Sequence, residues 1–339
     1  MAATRSQCTN TLRRRALPRR RLALLLTLAA CSSEGAGDGA LDVLVEAEDV
    51  IIHGLQPGDG IEDIRDGWAV DFDQYIAVLG GVQLHLSTDE TVEAEAPEIY
   101  AIDLTKIPAA GASQWTLEGL AEGRYEFLYG LHGAGEAAQH ESVDDADFAE
   151  LQANDWTYLI AGAIEQVGGV SCPPASLASP PAGAVSAGMN RAGDTCYANP
   201  AISFRLGATA ETSFGPCEID GVPGVSVSAG TVVTVAVTIH GDHIFFNGFP
   251  EGDEGGVLRL AQWLADCDLD VDGVVTQAEL AAIKPSDLVE LDERYQLGGS
   301  PITPIESMWD YVRAQLKTQG HFQGEGECPI DGVAHEHGG

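Results

Sequence analysis

Residues 266–280 read DCDLDVDGVVTQAEL, and Asp268, Asp270, Asp272 and Glu279 bring four carboxylates to one short turn around Gly273. Carboxylate oxygens are hard donors, and calcium takes six to eight such oxygens. Short aspartates at alternate positions and a longer glutamate further on can wrap one ion from several sides, provided a glycine allows the chain to turn sharply. Four carboxylates within a few ångströms repel by about 1 kcal/mol per pair even at the dielectric of water, a cost that a divalent cation removes. An acidic surface turn with no ligand is the alternative reading. The second group able to do chemistry is nitrogenous. TIHGDHIFF places His240, Asp242 and His243 at the end of an apolar run, and TQGHFQGEGEC adds His321 with Glu325 close behind. Two or three imidazoles with a carboxylate suit zinc or copper. In a regular strand, residues three apart face opposite sides, so His240 and His243 meet only if Gly241 opens a bulge or turn. Structural histidines around an Asp242-capped turn are the competing reading. His335 and His337, in the final VAHEHGG, belong to a tail (329–339) whose ordering around a metal costs entropy.

These groups need elements to hold them. DVLVEAEDVIIH (42–53), DGWAVDFDQYIAVLGGVQLHL (66–86), IYAIDL, WTLEGL, RYEFLYGL, WTYLIAGAIE and AISFRLG are short β-branched or alternating pieces separated by turn residues. VSVSAGTVVTVAVTIHGDHIFF reads as the clearest strand pair, and 143–153 as an acidic helix. Many short strands at this spacing predict an antiparallel β-sandwich-like domain over 41–250. From Gly255 onward strand runs cease. GGVLRLAQWLADC, with Leu258, Ala261, Trp263 and Leu264, has helical spacing, as does PIESMWDYVRAQLKTQ with Ile305, Met308, Trp309, Val312 and Leu316. The predicted class is therefore α+β, with a small helical region (251–328) packed on the sandwich.

With helices expected on both sides, the acidic turn resembles the EF-hand calcium loop, D-x-[DN]-x-[DN]-G-x5-E, over Asp268-Leu-Asp270-Val-Asp272-Gly273 to Glu279. The resemblance implies Ca2+ as the cofactor. Its ligands would be the side chains of Asp268, Asp270 and Asp272, the carbonyl of Val274, Thr276 directly or through water, and both oxygens of Glu279. Val275 stands where the family pairs a β-branched residue with a partner loop. EF-hands usually work in pairs, and no second loop is present; CEIDGVPG, CPIDGVAHEH and KPSDLVELDERY lack the spacing. A lone hand is read as a structural calcium clip rather than a switch.

The amino terminus is an address. RRRALPRRRLALLLTLAAC has a basic segment and an apolar run from Leu22 to Ala30, too short for a bilayer span of roughly 20 residues and suited to a secretory signal over 1–30. Leu28-Ala29-Ala30-Cys31 resembles the lipobox of bacterial lipoproteins, which implies lipidation at Cys31, a membrane anchor through it, and a flexible tether over 31–40. Ser32 in the next position favours the outer membrane. The order TIHGDH, acidic loop, then GHFQGEGxC also resembles a group of uncharacterised secreted bacterial EF-hand lipoproteins, to which no activity attaches.

Charge and cysteine usage agree with that location. Of the 17 basic residues seven are arginines in the first 30, leaving ten against 52 acidic ones, a net −42 for the exported chain. Such a surface repels nucleic acid and anionic membranes and attracts cations. An oxidising compartment favours disulfides. Cys172 and Cys196 bracket a Pro/Ala/Gly excursion that a bridge would pin. Cys217 with Cys328 would tie the C-terminus to the sheet, leaving Cys267 unpaired beside the acidic loop. The functional expectation is a calcium-binding cell-envelope lipoprotein acting as a structural or binding module. The alternative is a periplasmic or surface copper- or zinc-binding protein. A metal-dependent hydrolase is a third reading that rests on the same histidines alone, since no G-x-S-x-G, H-E-x-x-H or P-loop occurs.

Overall fold

The computed structural model describes residues 38–87, 91–249, 256–288 and 294–330. The signal segment, Cys31, most of the tether, and the end of the tail with His335 and His337 lie outside the described residues. The described residues belong to one compact unit, so the β-rich and helical regions form a single body.

Two large sheets share one core, giving a β-rich, sandwich-like α+β fold. The first sheet is built on Gly39–Ala47, GALDVLVEA, whose alternation buries Leu41, Val43 and Val45. This strand pairs antiparallel with Ala112–Leu120. Its other neighbour is Val232–Ile239, and that pairing is parallel, with Val43 opposite Val235 and Ala47 opposite Ile239. The expectation of purely antiparallel sheets is corrected here. A hairpin forces antiparallel pairing, but strands nearly two hundred residues apart in the chain carry no such constraint.

The second sheet is organised by the long strand Ala69–Leu86. Along one edge, its first half pairs with Tyr158–Glu165 and its second half with Gly123–Leu131; Val92–Asp103 pairs along the other. Its pairings with Val92–Asp103 and Gly123–Leu131 both shift register across Gly80–Gln83, where Gly81 takes φ +63°, as a bulge requires. Tyr158–Glu165 pairs in turn with Ala201–Ala208. Val225–Val227 joins this sheet against Gly123–Leu131, whereas Val232–Ile239 belongs to the first sheet. The segment read as a strand pair is therefore an arch between sheets. Both pieces are strands, but strand character does not reveal which neighbour a strand finds.

The helical region departs from expectation at two places. The helix entering the acidic loop is only Gln262–Asp266; Arg259 is extended and bridges to Ile64 and Phe246. After Gly255 a strand does form, Gly320–Phe322, antiparallel to the end of Val232–Ile239. Three residues flanked by turns leave no readable period. The last helix, Met308–Leu316, follows its pattern: Ser307 and Asp310 form a capping box, and Met308, Tyr311, Val312 and Leu316 are buried, with Trp263 edge-on to Tyr311 at 5.4 Å. The acidic helix is Asp145–Asn154, closed by Asp155 in the left-handed conformation. The disulfides are Cys172–Cys196 and Cys217–Cys328, and Cys267 is a buried free thiol. No helix among the described residues is long and apolar enough to cross a membrane.

Candidate functional site

The acidic loop runs from Gln262–Asp266 to the helix Gln277–Ala282. Gly273 adopts φ +85° and Val271 φ +59°, the backbone reversals that fold the loop inward. Asp268 is fully buried. Its Oδ1 accepts from the Asp272 amide at 3.1 Å, and its Oδ2 accepts from the Gly273 amide at 2.9 Å and Asn199 Nδ2 at 2.7 Å. Burial pushes this carboxyl above the usual range, the Glu279 charge adds to that, and the three donors oppose it. Glu279 Oε1 accepts from the Leu269 amide at 2.9 Å, and Oε2 from the Thr276 amide at 2.9 Å and hydroxyl at 2.8 Å. The long carboxylate thus reaches back across the loop and closes it.

Asp268, Asp270 and Glu279 each offer an oxygen within 4.8 Å of the others. Asp272 is not in that group; its Oδ1 accepts from the Val274 amide at 2.8 Å. Thr276 caps the exit helix, accepting from the Glu279 amide at 3.3 Å. Val274–Val275 form a short strand. These residues pair in parallel with Ser203 and Phe204 at the edge of the large sheet. The Ser203 amide donates to the Gly273 carbonyl at 2.9 Å, and Val275 is buried. Asn199 and this sheet edge were not singled out by sequence, because both lie some seventy residues away along the chain.

The histidines converge. Val232–Ile239 ends immediately before His240, and the chain turns at Gly241 into the 3-10 turn Asp242–Phe245. That turn brings His243 back beside His240, with ring centroids 5.6 Å apart. His321 arrives on the neighbouring strand, its ring stacked on His240 at 3.9 Å and edge-on to His243 at 5.2 Å. The three imidazoles offer nitrogens within 4.8 Å of one another. Glu325 is not in this group. The carboxylates that gather there are Glu48, at the end of the first strand, and Asp242, each grouped with His240. Glu48 Oε2 accepts from the Gly241 amide at 3.0 Å, and Oε1 stands 4.0 Å from His240 Nδ1. Asp242 is fully buried and pairs with the equally enclosed Arg259. Glu48 carried no sequence signal, since only the parallel pairing of two distant strands places it there.

No protein-family model matches the chain, and no curated protein or solved structure matches it.

Proposed function

We propose that the chain is a calcium-binding cell-envelope lipoprotein, a structural or binding module in which the loop 268–279 clips its helical region to the large sheet. The observation that carries the reading is the pairing of Val274–Val275 with Ser203–Phe204. An EF-hand loop commonly stabilises this short strand against a second hand; here a sheet edge supplies the partner. The donor set fits calcium: it is all oxygen, anionic, and includes a fully buried aspartate. An ion held by Asp268, Asp270 and Glu279, with Asp272, Thr276 and the Val274 carbonyl completing the shell, neutralises the loop and ties the exit helix to the strand edge. Anchoring through Cys31 places this module at a membrane surface from outside the cytoplasm, which accords with two disulfides and a strongly anionic chain.

Calcium titration of the purified full chain tests the reading, with melting followed in parallel. One calcium per chain and a calcium-dependent rise in melting temperature are expected, both sharply reduced in Asp270→Ala. No calcium uptake at 1–10 mM, or uptake unchanged in that variant, refutes it.

A further inference from the structure

We propose that His240, His243 and His321 form a second, separate site that binds a zinc- or copper-class ion, with Glu48 as its carboxylate neighbour. Gly324 O can only accept, so His240 Nε2, 3.2 Å away, carries its hydrogen toward it. The Thr318 hydroxyl donates to Gln315 O at 2.8 Å, so it accepts from His243 Nδ1, 2.8 Å away. In their neutral forms His240 therefore presents the lone pair of Nδ1, and His243 the lone pair of Nε2. Backbone and hydroxyl partners on the far nitrogen are how proteins orient metal-binding imidazoles.

The lone pair of His240 Nδ1 then faces a carboxylate oxygen of Glu48 at 4.0 Å. His240, His243 and His321 bring three imidazole nitrogens within 4.8 Å of one another, a spacing that one metal ion can draw together. Nitrogen donors without thiolate, joined by a carboxylate, select zinc or copper over calcium. Around a tetrahedral ion with bonds of 2.0–2.1 Å, donors stand about 3.3 Å apart, so loading draws these side chains together by small rotations.

An approach route adjoins the site. A cavity of about 540 Å³ is lined by Glu218, Asp220, Glu325 and Glu327 together with Gly324, the residue whose carbonyl holds His240. Four carboxylates at one mouth raise the local cation concentration. His321 is the only one of the three histidines that is not fully buried. The ion would reach the site through this acidic vestibule, and Glu325 would act there rather than as a ligand.

Elemental analysis of the full chain, purified without chelator or affinity tag and then titrated with Zn2+ and Cu2+ in excess calcium, tests the proposal. About one zinc or copper per chain is expected, with the calcium content unaltered. His321→Ala, at the partly exposed strand, should weaken uptake roughly 100-fold or more while calcium-dependent melting is kept. Thr318→Val, which removes the acceptor for His243 together with the hydroxyl's bond to Gln315 O, should weaken it 10–100-fold. If His240→Gln fails to fold, those two variants still decide the matter. Absence of saturable zinc or copper uptake overturns the proposal, because the three imidazoles then serve only the packing and hydrogen bonds of this turn. It is equally overturned by uptake that survives His321→Ala but disappears when His335 and His337 are replaced by glutamine.

Discussion

Asp270→Ala separates a calcium site from an acidic turn more cleanly than any other change in the loop. Asp268 and Glu279 each hold backbone amides as well as facing the proposed ion, so replacing either damages the loop with or without calcium. Asp270 is exposed and is one of the three carboxylates within 4.8 Å of each other. At that separation, two unit charges in water repel by about 0.9 kcal/mol, and a physiological ionic strength roughly halves it. Relief from two neighbours is then about 1 kcal/mol. With an unfolding entropy of about 2.1 cal/mol/K per residue over roughly 300 residues, 1 kcal/mol corresponds to about 1.6 °C. In EGTA the variant should melt level with the parent or up to about 2 °C above it. Calcium at 100 times its dissociation constant stabilises the parent by about 2.7 kcal/mol, or about 4 °C. The variant, one ligand short, should gain much less, so the order of melting reverses when calcium is added. Differential scanning calorimetry of both proteins in EGTA and in calcium reads this directly. If the variant melts below the parent in EGTA, or calcium raises both equally, Asp270 does not face a bound cation.

Four other outcomes follow from the same packing. Cys267 is fully enclosed and its thiol is pushed well upward by burial, so it should resist alkylation in the native protein and react once per chain after denaturation. Burial raises the Asp66 carboxyl despite the Ala261 and Gln262 amides that it accepts at 2.9 Å, so the folded state binds that proton more tightly than the unfolded chain. Its contribution is thus largest in acid and is lost as pH rises toward neutral. Asp66→Asn should melt higher relative to the parent at pH 7 than at pH 4. Arg259→Met leaves the buried Asp242 charge without its partner and should cost about 3–5 kcal/mol in chemical denaturation. Breaking Cys172–Cys196, which closes a separation of 24 residues, should cost about 3 kcal/mol by the same measurement, and Cys217–Cys328, at 111, about 5 kcal/mol.

What could be read from the chain alone was whatever is decided over a dozen residues. The backbone of a short loop cannot spread Asp268, Asp270 and Glu279 far apart once Gly273 turns it, so their meeting was implicit in their spacing. The helix Met308–Leu316 was legible for the same reason: its apolar period and the Ser307–Asp310 cap are local. The bracketing of a Pro/Ala/Gly excursion likewise pointed to Cys172–Cys196. Strand character was also visible, but not strand partners, because alternation states which face is buried and nothing about what lies beside it. Only the tertiary structure made Gly39–Ala47 parallel to Val232–Ile239, and that pairing is what sets Glu48 against His240. The same holds for the sheet edge that meets Val274–Val275, and for His321, delivered by a three-residue strand from eighty residues downstream. Contacts between distant segments depend on the shared core rather than on any local preference, so the chemistry they assemble becomes readable only after the chain has folded.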